Sequence, residues 1–321
     1  MTPILRSTPG NAVPDNHKAG YFDGVGGVQI RYAIFRSDAP VSKGTIVLLQ
    51  GRNETIEKYY ETIRDFNTRG LWVATFDWRG QGGSGRMLKN TRRGHVRHFS
   101  DYEHDLTTFL EHIVLPDTRL PFFMVAHSMG ALIALSQAPW LENRIERIVV
   151  AAPFVELGAQ AVSSGLIGII ARAARILGLG AFPLIRDRPP RPFEDNLLTA
   201  DGLRYARNLA ITRSNPDLGL GPPTSSWLCE TLTAINRIRQ REYLTQIQIP
   251  TLLLAPGRDT LVPHRAVERL ARNFRAATMI PIDGARHELF QEADKYRAQA
   301  MAAIAAFIPG GDDAADDNPA A

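Results

Sequence analysis

A chain of 321 residues that is 44% hydrophobic and 22% charged, with 26 Gly and 21 Pro, has an ordinary globular composition, which excludes collagen, coiled coil and disorder. Its single cysteine, Cys229, forms no internal disulfide, which removes the small secreted disulfide-framework class. The net charge is +4, and +8 without the four Asp of residues 309–321; this serves solubility or an anionic lipid surface, and no nucleic-acid-binding signature accompanies it.

Along the chain, residues 1–19 hold no apolar stretch of signal-peptide length and read as a disordered tail, so the protein is expected in the cytoplasm. Gly27 to Phe35 reads as an antiparallel edge strand. Gly44 to Leu49 is continuously apolar, as a buried strand requires, and ends in Gln50-Gly51. Glu57 to Arg69 carries Tyr60, Ile63 and Phe66 at helical spacing and stops at Gly70. Leu71 to Phe76 is the next strand, Asp101 to Val114 a helix, and Phe122 to Ala126 a strand with a helix, Met129 to Gln137, directly behind it. Ile145 to Ala151, Thr251 to Ala255 and Thr278 to Ile282 are strands, and Lys295 to Phe307 is a last helix. Strand alternating with helix predicts an α/β fold with a mostly parallel sheet covered on both faces. The alternation breaks for roughly a hundred residues, an insertion that reads as a helical cap over the carboxyl ends of the strands, where open α/β sheets bind ligands. The expected organisation is a body over 20–153, a cap over 154–249, the rest of the body over 250–308 and an acidic disordered tail over 309–321.

The chemistry concentrates in Val125-Ala126-His127-Ser128-Met129-Gly130, a strand-to-helix turn whose small residues flank a serine two positions away on each side. Ser128 at a helix N-terminus stands where developing negative charge is favoured; the alternative is an ordinary serine N-cap. A serine hydroxyl needs a general base oriented by a carboxylate. Downstream of the cap there are two histidines: His287, on the loop after the last predicted strand, and His264, at a helix start and better suited to a surface or capping role. Asp259 follows the preceding strand on the same edge, with Asp283 and Glu156 as competing acids. The two N–H donors of an oxyanion hole are expected from Met129 and, in the turn after the Gly44–Leu49 strand, from Arg52; the alternative there is simply a tight turn.

These segments, with Asp77-Trp78-Arg79-Gly80-Gln81-Gly82-Gly83-Ser84-Gly85, Gly257-Arg258-Asp259 and Gly284-Ala285-Arg286-His287-Glu288, resemble the α/β-hydrolases over about Gly27 to Phe307. More narrowly they resemble the bacterial lysophospholipase and monoacylglycerol lipase branch, also grouped with serine aminopeptidases. Leu49-Gln50-Gly51-Arg52-Asn53-Glu54 and Leu220 to Trp227 point to the lysophospholipases in particular. Ala126 replaces the first glycine of the usual elbow, and Gln50-Gly51 stands where many relatives carry His-Gly. The resemblance implies ester hydrolysis through an acyl-enzyme on Ser128, with His287 as base and Asp259 orienting it, and the Asp77–Gly85 stretch as structural. No cofactor is called for, and no His pair has metal-ligand spacing.

The cap segment Leu166 to Leu179 is apolar with two arginines, too short and too charged to span a membrane. It is expected to line an acyl-chain tunnel through Leu166, Ile169 and Ile170 and to touch an anionic membrane surface, or else simply to pack on the body. Arg92, Arg93, His95, Arg97 and His98 read as a solvated basic loop, and Trp140 and Trp227 as core residues. A lysophospholipid is the expected substrate. A monoacylglycerol lipase or general carboxylesterase would share every catalytic residue. A serine aminopeptidase would want an acidic cluster for a free amine, and Glu194 and Asp195 are the only adjacent acids in the cap. A catalytically silent binder of a hydrophobic ligand would have no need of all three catalytic groups.

Overall fold

The computed structural model describes residues 3–158 and 162–309. Eight strands among them form one sheet: β1 (His17–Asp23), β2 (Gln29–Phe35), β3 (Thr45–Leu49), β4 (Trp72–Phe76), β5 (Phe122–His127), β6 (Arg147–Ala151), β7 (Thr251–Pro256) and β8 (Ala277–Ile282). Their spatial order is β1-β2-β4-β3-β5-β6-β7-β8. β2 pairs antiparallel with β1 and β4, and every pair from β4 to β8 is parallel. The chain runs from β3 to β4 on one side, then crosses to β5 on the other. That reversal opens a crevice at the carboxyl ends of β3 and β5, the ligand position of open α/β sheets.

The apolar runs of the central strands follow from burial on both faces. In β3, Val47 and Leu49 point into one core and Ile46 and Leu48 into the other; Met124 and Ala126 of β5 divide from Phe123 and Val125 in the same way. The first core is closed by α2 (Ser100–Phe109), α3 (Met129–Gln137), α6 (Ser225–Ile238) and α7 (His264–Asn273). The second is closed by α1 (Tyr60–Thr68), through Tyr60, Ile63 and Phe66, and by α8 (Asp294–Phe307), through Ala300, Met301 and Ile304.

The N-terminal residues depart from the expectation of a disordered tail. Residues 17–23 form β1, and the segment before it is tied down at several points. Leu5 is buried in the second core, Arg31 Nη1 donates to the Ile4 carbonyl at 2.8 Å, and Asn11 Nδ2 donates to the Glu57 carbonyl at 2.9 Å. Arg6 reaches across to the cap, donating to Asn215 Oδ1 at 3.1 Å and Asp217 Oδ2 at 2.8 Å. The acidic stretch from residue 310 onward lies outside the described residues.

Between β6 and β7 the described residues hold α4 (Ser164–Ile176), α5 (Gly202–Ser214) and α6, and no strand of the sheet. α6 belongs as much to the body as to a cap: Trp227, Ala234, Ile235 and Ile238 enter the first core. α4 buries only Ala171 and lies outside, against α6. The segment rests on the carboxyl-edge loops. Glu288 N–H donates to the Leu198 carbonyl at 2.9 Å, Arg286 to the Thr199 carbonyl at 2.9 Å, and Leu220 N–H to Asn53 Oδ1 at 2.9 Å.

Candidate active site

β5 ends at His127, and the chain turns straight into α3 through Ser128, whose backbone sits at φ +50 and ψ −112. A non-glycine residue there is strained, at a cost of roughly 1–3 kcal/mol, and such strain persists only where surrounding structure fixes it. The fixing is visible. Ser128 N–H donates to the Ala151 carbonyl at 3.0 Å, and Phe154 N–H donates to the Ser128 carbonyl at 3.2 Å. A Cβ on Gly130 would lie 2.5 Å from the Gln50 carbonyl oxygen, so a side chain cannot be placed there. Ala126, at the other flank, is fully buried. The serine makes no N-cap hydrogen bond through its side chain.

Its Oγ instead lies 2.9 Å from His287 Nε2. His287 comes off the loop after β8, and its Nδ1 donates to Asp259 Oδ2 at 2.6 Å. That bond leaves Nε2 as the acceptor facing the serine. Asp259 is oriented in turn: its Oδ1 accepts from Leu261 N–H at 2.8 Å and Val262 N–H at 3.0 Å, turning Oδ2 toward the imidazole. Both His287 and Asp259 are buried, whereas Ser128 is half-exposed. The other candidates lie elsewhere. His264 starts α7 and bonds the Pro256 carbonyl at 3.2 Å, and Glu156 pairs with Arg269 at 2.5 Å. Asp283 is exposed.

Met129 is the first residue of α3, so its N–H has no partner four residues back in the helix. Across the crevice, the turn after β3 is shaped by the glycine-rich stretch that follows β4. Trp78 Nε1 donates to the Gln50 carbonyl at 2.8 Å, Gln81 Nε2 to the Gly51 carbonyl at 2.9 Å, and Asn53 N–H to Gln81 Oε1 at 3.2 Å. Asn53 takes φ +59, closing the turn. The Arg52 side chain donates to the Gly221 carbonyl and lies 5.3 Å from the Trp227 ring centroid; burial pushes its guanidinium down to about 10, still charged at neutral pH. Trp227 also stacks on Phe154 at 6.4 Å, so this buried residue joins the cap to both the turn and the elbow.

Behind these loops lies a group that the sequence reading did not single out. Glu54 Oε2 accepts from Gly51 N–H at 2.5 Å, Tyr59 Oη at 2.7 Å and His127 Nδ1 at 3.2 Å. Lys58 Nζ bridges Glu54 Oε1 at 2.8 Å and Glu288 Oε1 at 2.6 Å. His127 Nε2 lies 3.2 Å from the His287 carbonyl oxygen. All five residues are buried. Burial alone would raise the Glu54 carboxyl, but Lys58 and His127 hold it well below the usual range. Lys58, also opposed by burial, is raised by Glu288 and Glu54. The available signals were the i, i+4 pairing of Glu54 with Lys58 and the place of His127 and Glu288 next to catalytic candidates.

The cap residues expected to line a tunnel are largely open to solvent: Leu166 is 47% exposed, Ile169 67% and Ile170 44%. Ile169 borders a cavity of about 500 Å³ with Leu157, Gly168, Arg172, Leu232 and Ile235; none of Ser128, Asp259 and His287 lines it. The apolar surface continues through Ile176, Leu177, Leu179, Phe182 and Ile185. The basic loop of residues 92–98 is not simply solvated. Arg92 pairs with Asp187 at 2.8 Å, His95 Nδ1 lies 3.0 Å from Thr224 Oγ1, and Arg93 sits 4.6 Å from the Phe182 ring centroid. These contacts dock it on the cap. Trp140 is 65% exposed and outside the core. Among the described residues no helix is long and apolar enough to cross a membrane, and no group of three or more His, Cys, Asp or Glu could hold a metal ion.

The family model for serine aminopeptidase, S33, matches residues 40–294. The chain is 31% identical to lysophospholipase L2 of Escherichia coli (strain K12) over 309 residues, covering 89% of this chain and 86% of that protein. It is 26% identical to a monoacylglycerol lipase of Mycolicibacterium smegmatis, covering 85% and 91%. Among solved structures it superposes on a soluble variant of monoglyceride lipase from Saccharomyces cerevisiae with a TM-score of 0.73 at 18% identity, over 97% of this chain and 99% of that one. The last likeness shows the α/β-hydrolase fold.

Proposed function

The chain belongs to the serine aminopeptidase S33 family, and from that membership we propose that it is a carboxylic ester hydrolase acting on a single-chain lipid, a lysophospholipid foremost. The observation that carries the reading is the chain of contacts from Ser128 Oγ through His287 to Asp259, at 2.9 and 2.6 Å. Ser128 Oγ attacks the ester carbonyl while His287 Nε2 takes its proton. Asp259 stabilises the resulting imidazolium and keeps its geometry. The carbonyl oxygen, now negative, is met by the Met129 and Arg52 N–H groups. Collapse expels the alcohol, which receives the proton from His287, and leaves the acyl group on Ser128. Water, deprotonated by the same imidazole, then releases the fatty acid and restores the serine.

The lysophospholipid is favoured by the likeness to lysophospholipase L2 of Escherichia coli and by the cap's excess of arginines. Monoacylglycerol is the second reading, on the likeness to the Mycolicibacterium smegmatis lipase. An aminopeptidase is disfavoured, since Glu194 and Asp195, the adjacent acids of the cap, are exposed to solvent. The test is fatty-acid release from lysophosphatidylcholine, lysophosphatidylethanolamine, monoacylglycerol and a short-chain nitrophenyl ester. Each buried methylene is worth roughly 0.8 kcal/mol, so kcat/KM for the long-chain lysophospholipids is expected to exceed that for the short ester at least about tenfold. Activity confined to the short ester would refute the lipid assignment, and a preference for monoacylglycerol would select the second reading.

We further place the enzyme in the cytoplasm, peripherally on an anionic membrane face, with α4 against the lipid. Leu166, Ile169, Ile170 and Ile176 of α4 are exposed apolar side chains, and Arg172, Arg186 and Arg188 of the cap are exposed as well. A basic side chain near an anionic surface is worth roughly 1 kcal/mol, so Arg172→Gln with Arg188→Gln is expected to weaken liposome binding on the order of 30-fold at low salt. Co-sedimentation with phosphatidylglycerol-containing liposomes checks this; no binding by the unaltered protein would refute it.

A further inference from the structure

Histidine 127 stands between two groups that can only accept. On one side is Glu54 Oε2, at 3.2 Å from Nδ1; on the other is the His287 carbonyl oxygen, at 3.2 Å from Nε2. A neutral imidazole has one N–H and one bare lone pair, so it would leave one of these contacts as a lone pair facing an oxygen. A proton on Glu54 does not relieve the conflict. Its Oε2 already accepts from Gly51 N–H and Tyr59 Oη, and its Oε1 accepts from the Lys58 ammonium. The charges also balance in one state: two carboxylates, Glu54 and Glu288, face two cations only when His127 is protonated.

We propose that His127 is held as an imidazolium, a positioning residue whose two N–H groups tie the carboxylate beneath the turn after β3 to the backbone of His287. The tie fixes the spacing between the oxyanion turn and the catalytic loop, two segments that meet nowhere in sequence. The ring centroids of His127 and His287 lie 5.0 Å apart, so the tie also packs the two rings against each other. The charged and titratable groups facing His127 are Glu54, Lys58 and Tyr59 from the turn side and His287 and Glu288 from the loop after β8; the Phe290 ring, 6.3 Å away, closes the remaining side. Burial works against the charged ring, but the charge and hydrogen bond of Glu54 outweigh it, and the net direction for His127 is upward.

The decisive experiment is a long-range ¹⁵N–¹H spectrum of the histidine-labelled, unaltered protein at pH 8, well above the ordinary histidine value of about 6.5. The His127 ring, assigned by its disappearance in His127→Gln or in Glu54→Gln/His127→Gln, is expected to show two protonated nitrogens. One bare nitrogen would overturn the proposal. The kinetic arm rests on the reading of His287 as the base. With the tie between the turn and the catalytic loop gone in His127→Gln, kcat is expected to fall on the order of tenfold while KM for the lysophospholipid stays within about twofold, because the tie sets the geometry of the reacting groups and touches no substrate. A kcat within about twofold of the unaltered protein, or a loss carried by KM, would also overturn the proposal. Should the protein release no fatty acid at all, the ester-hydrolase reading fails while the spectrum still decides the state of the ring. Should His127→Gln not fold, the double variant assigns the signal.

Discussion

Ser128→Ala is expected to lower fatty-acid release by a factor on the order of 10⁴ to 10⁶ without unfolding the protein. Removing Oγ takes away the atom proposed to form the acyl-enzyme, and His287 Nε2, 2.9 Å from it, then has no serine proton to accept. What survives is binding and the N–H groups proposed to meet the carbonyl oxygen, which cannot act without a nucleophile. The fold should be indifferent, because Oγ makes no capping bond and alanine keeps the Cβ that already tolerates φ +50. A fluorophosphonate probe gives the same answer independently of substrate, labelling the unaltered protein and not the variant. If the variant kept turnover and labelling, the nucleophile would have to be another residue. If the unaltered protein bound lipid but neither turned it over nor reacted with the probe, it would be a binder that retains the geometry of an enzyme.

The second large effect concerns stability. Arg31, fully buried in β2, donates to Glu57 with two nitrogens at 2.7 Å each and to Asp77 Oδ2 from Nε at 2.8 Å. Burial opposes its charge, but Asp77 and Glu57 outweigh that and raise it. Asp77 is committed elsewhere too, accepting from Ile56 N–H at 3.0 Å and Gly83 N–H at 2.7 Å. The glycines of the stretch are what let these groups close up: a Cβ on Gly83 would stand 2.5 Å from Arg31 Nε. In Arg31→Met both carboxylates remain in the interior with no cation between them. Breaking a buried pair in this way costs about 3–5 kcal/mol, a large share of a domain's total of roughly 5–15 kcal/mol. Urea denaturation followed by circular dichroism should show the loss as a lower midpoint. Arg31→Lys should recover only part of it, since an ammonium cannot reproduce the planar fork. A loss below about 1 kcal/mol in Arg31→Met would mean that water reaches the site.

The legible parts of the molecule were those where physics leaves a local mark. β3 and β5 are buried on both faces, so each appears as an unbroken apolar run. Ser128 and Asp259 each follow such a run and His287 follows the edge strand β8, which is why their chain positions point to one edge of the sheet. β1 left no such mark: of His17 to Asp23 only Phe22 is buried, and an edge strand with one apolar anchor reads as tail. The segment around Arg6 escaped for a different reason, since its partners are Asn215 and Asp217 and no local pattern encodes a contact at that distance. The cluster of Glu54, Lys58, His127 and Glu288 was hidden by its own chemistry. Charged residues are usually solvated, and only mutual neutralisation in the fold lets four of them be buried together. The exposure of Leu166, Ile169 and Ile170 on α4 is not legible either, because amphipathic spacing gives a stripe without saying which side meets protein.

Arg6 and Asn215 are separated by 209 residues, and the hydrogen bond between them has a consequence during synthesis. At a ribosomal rate of about 5–20 residues per second, Arg6 leaves the peptidyl-transferase centre roughly 10–40 s before its partner is made. Throughout that interval Leu5 and the residues around it can dock on the nascent body, but the strap to the cap cannot close. The edge of the molecule assembled from the earliest residues is therefore among the last to be completed, and a chaperone or protease meeting the nascent chain would find it open.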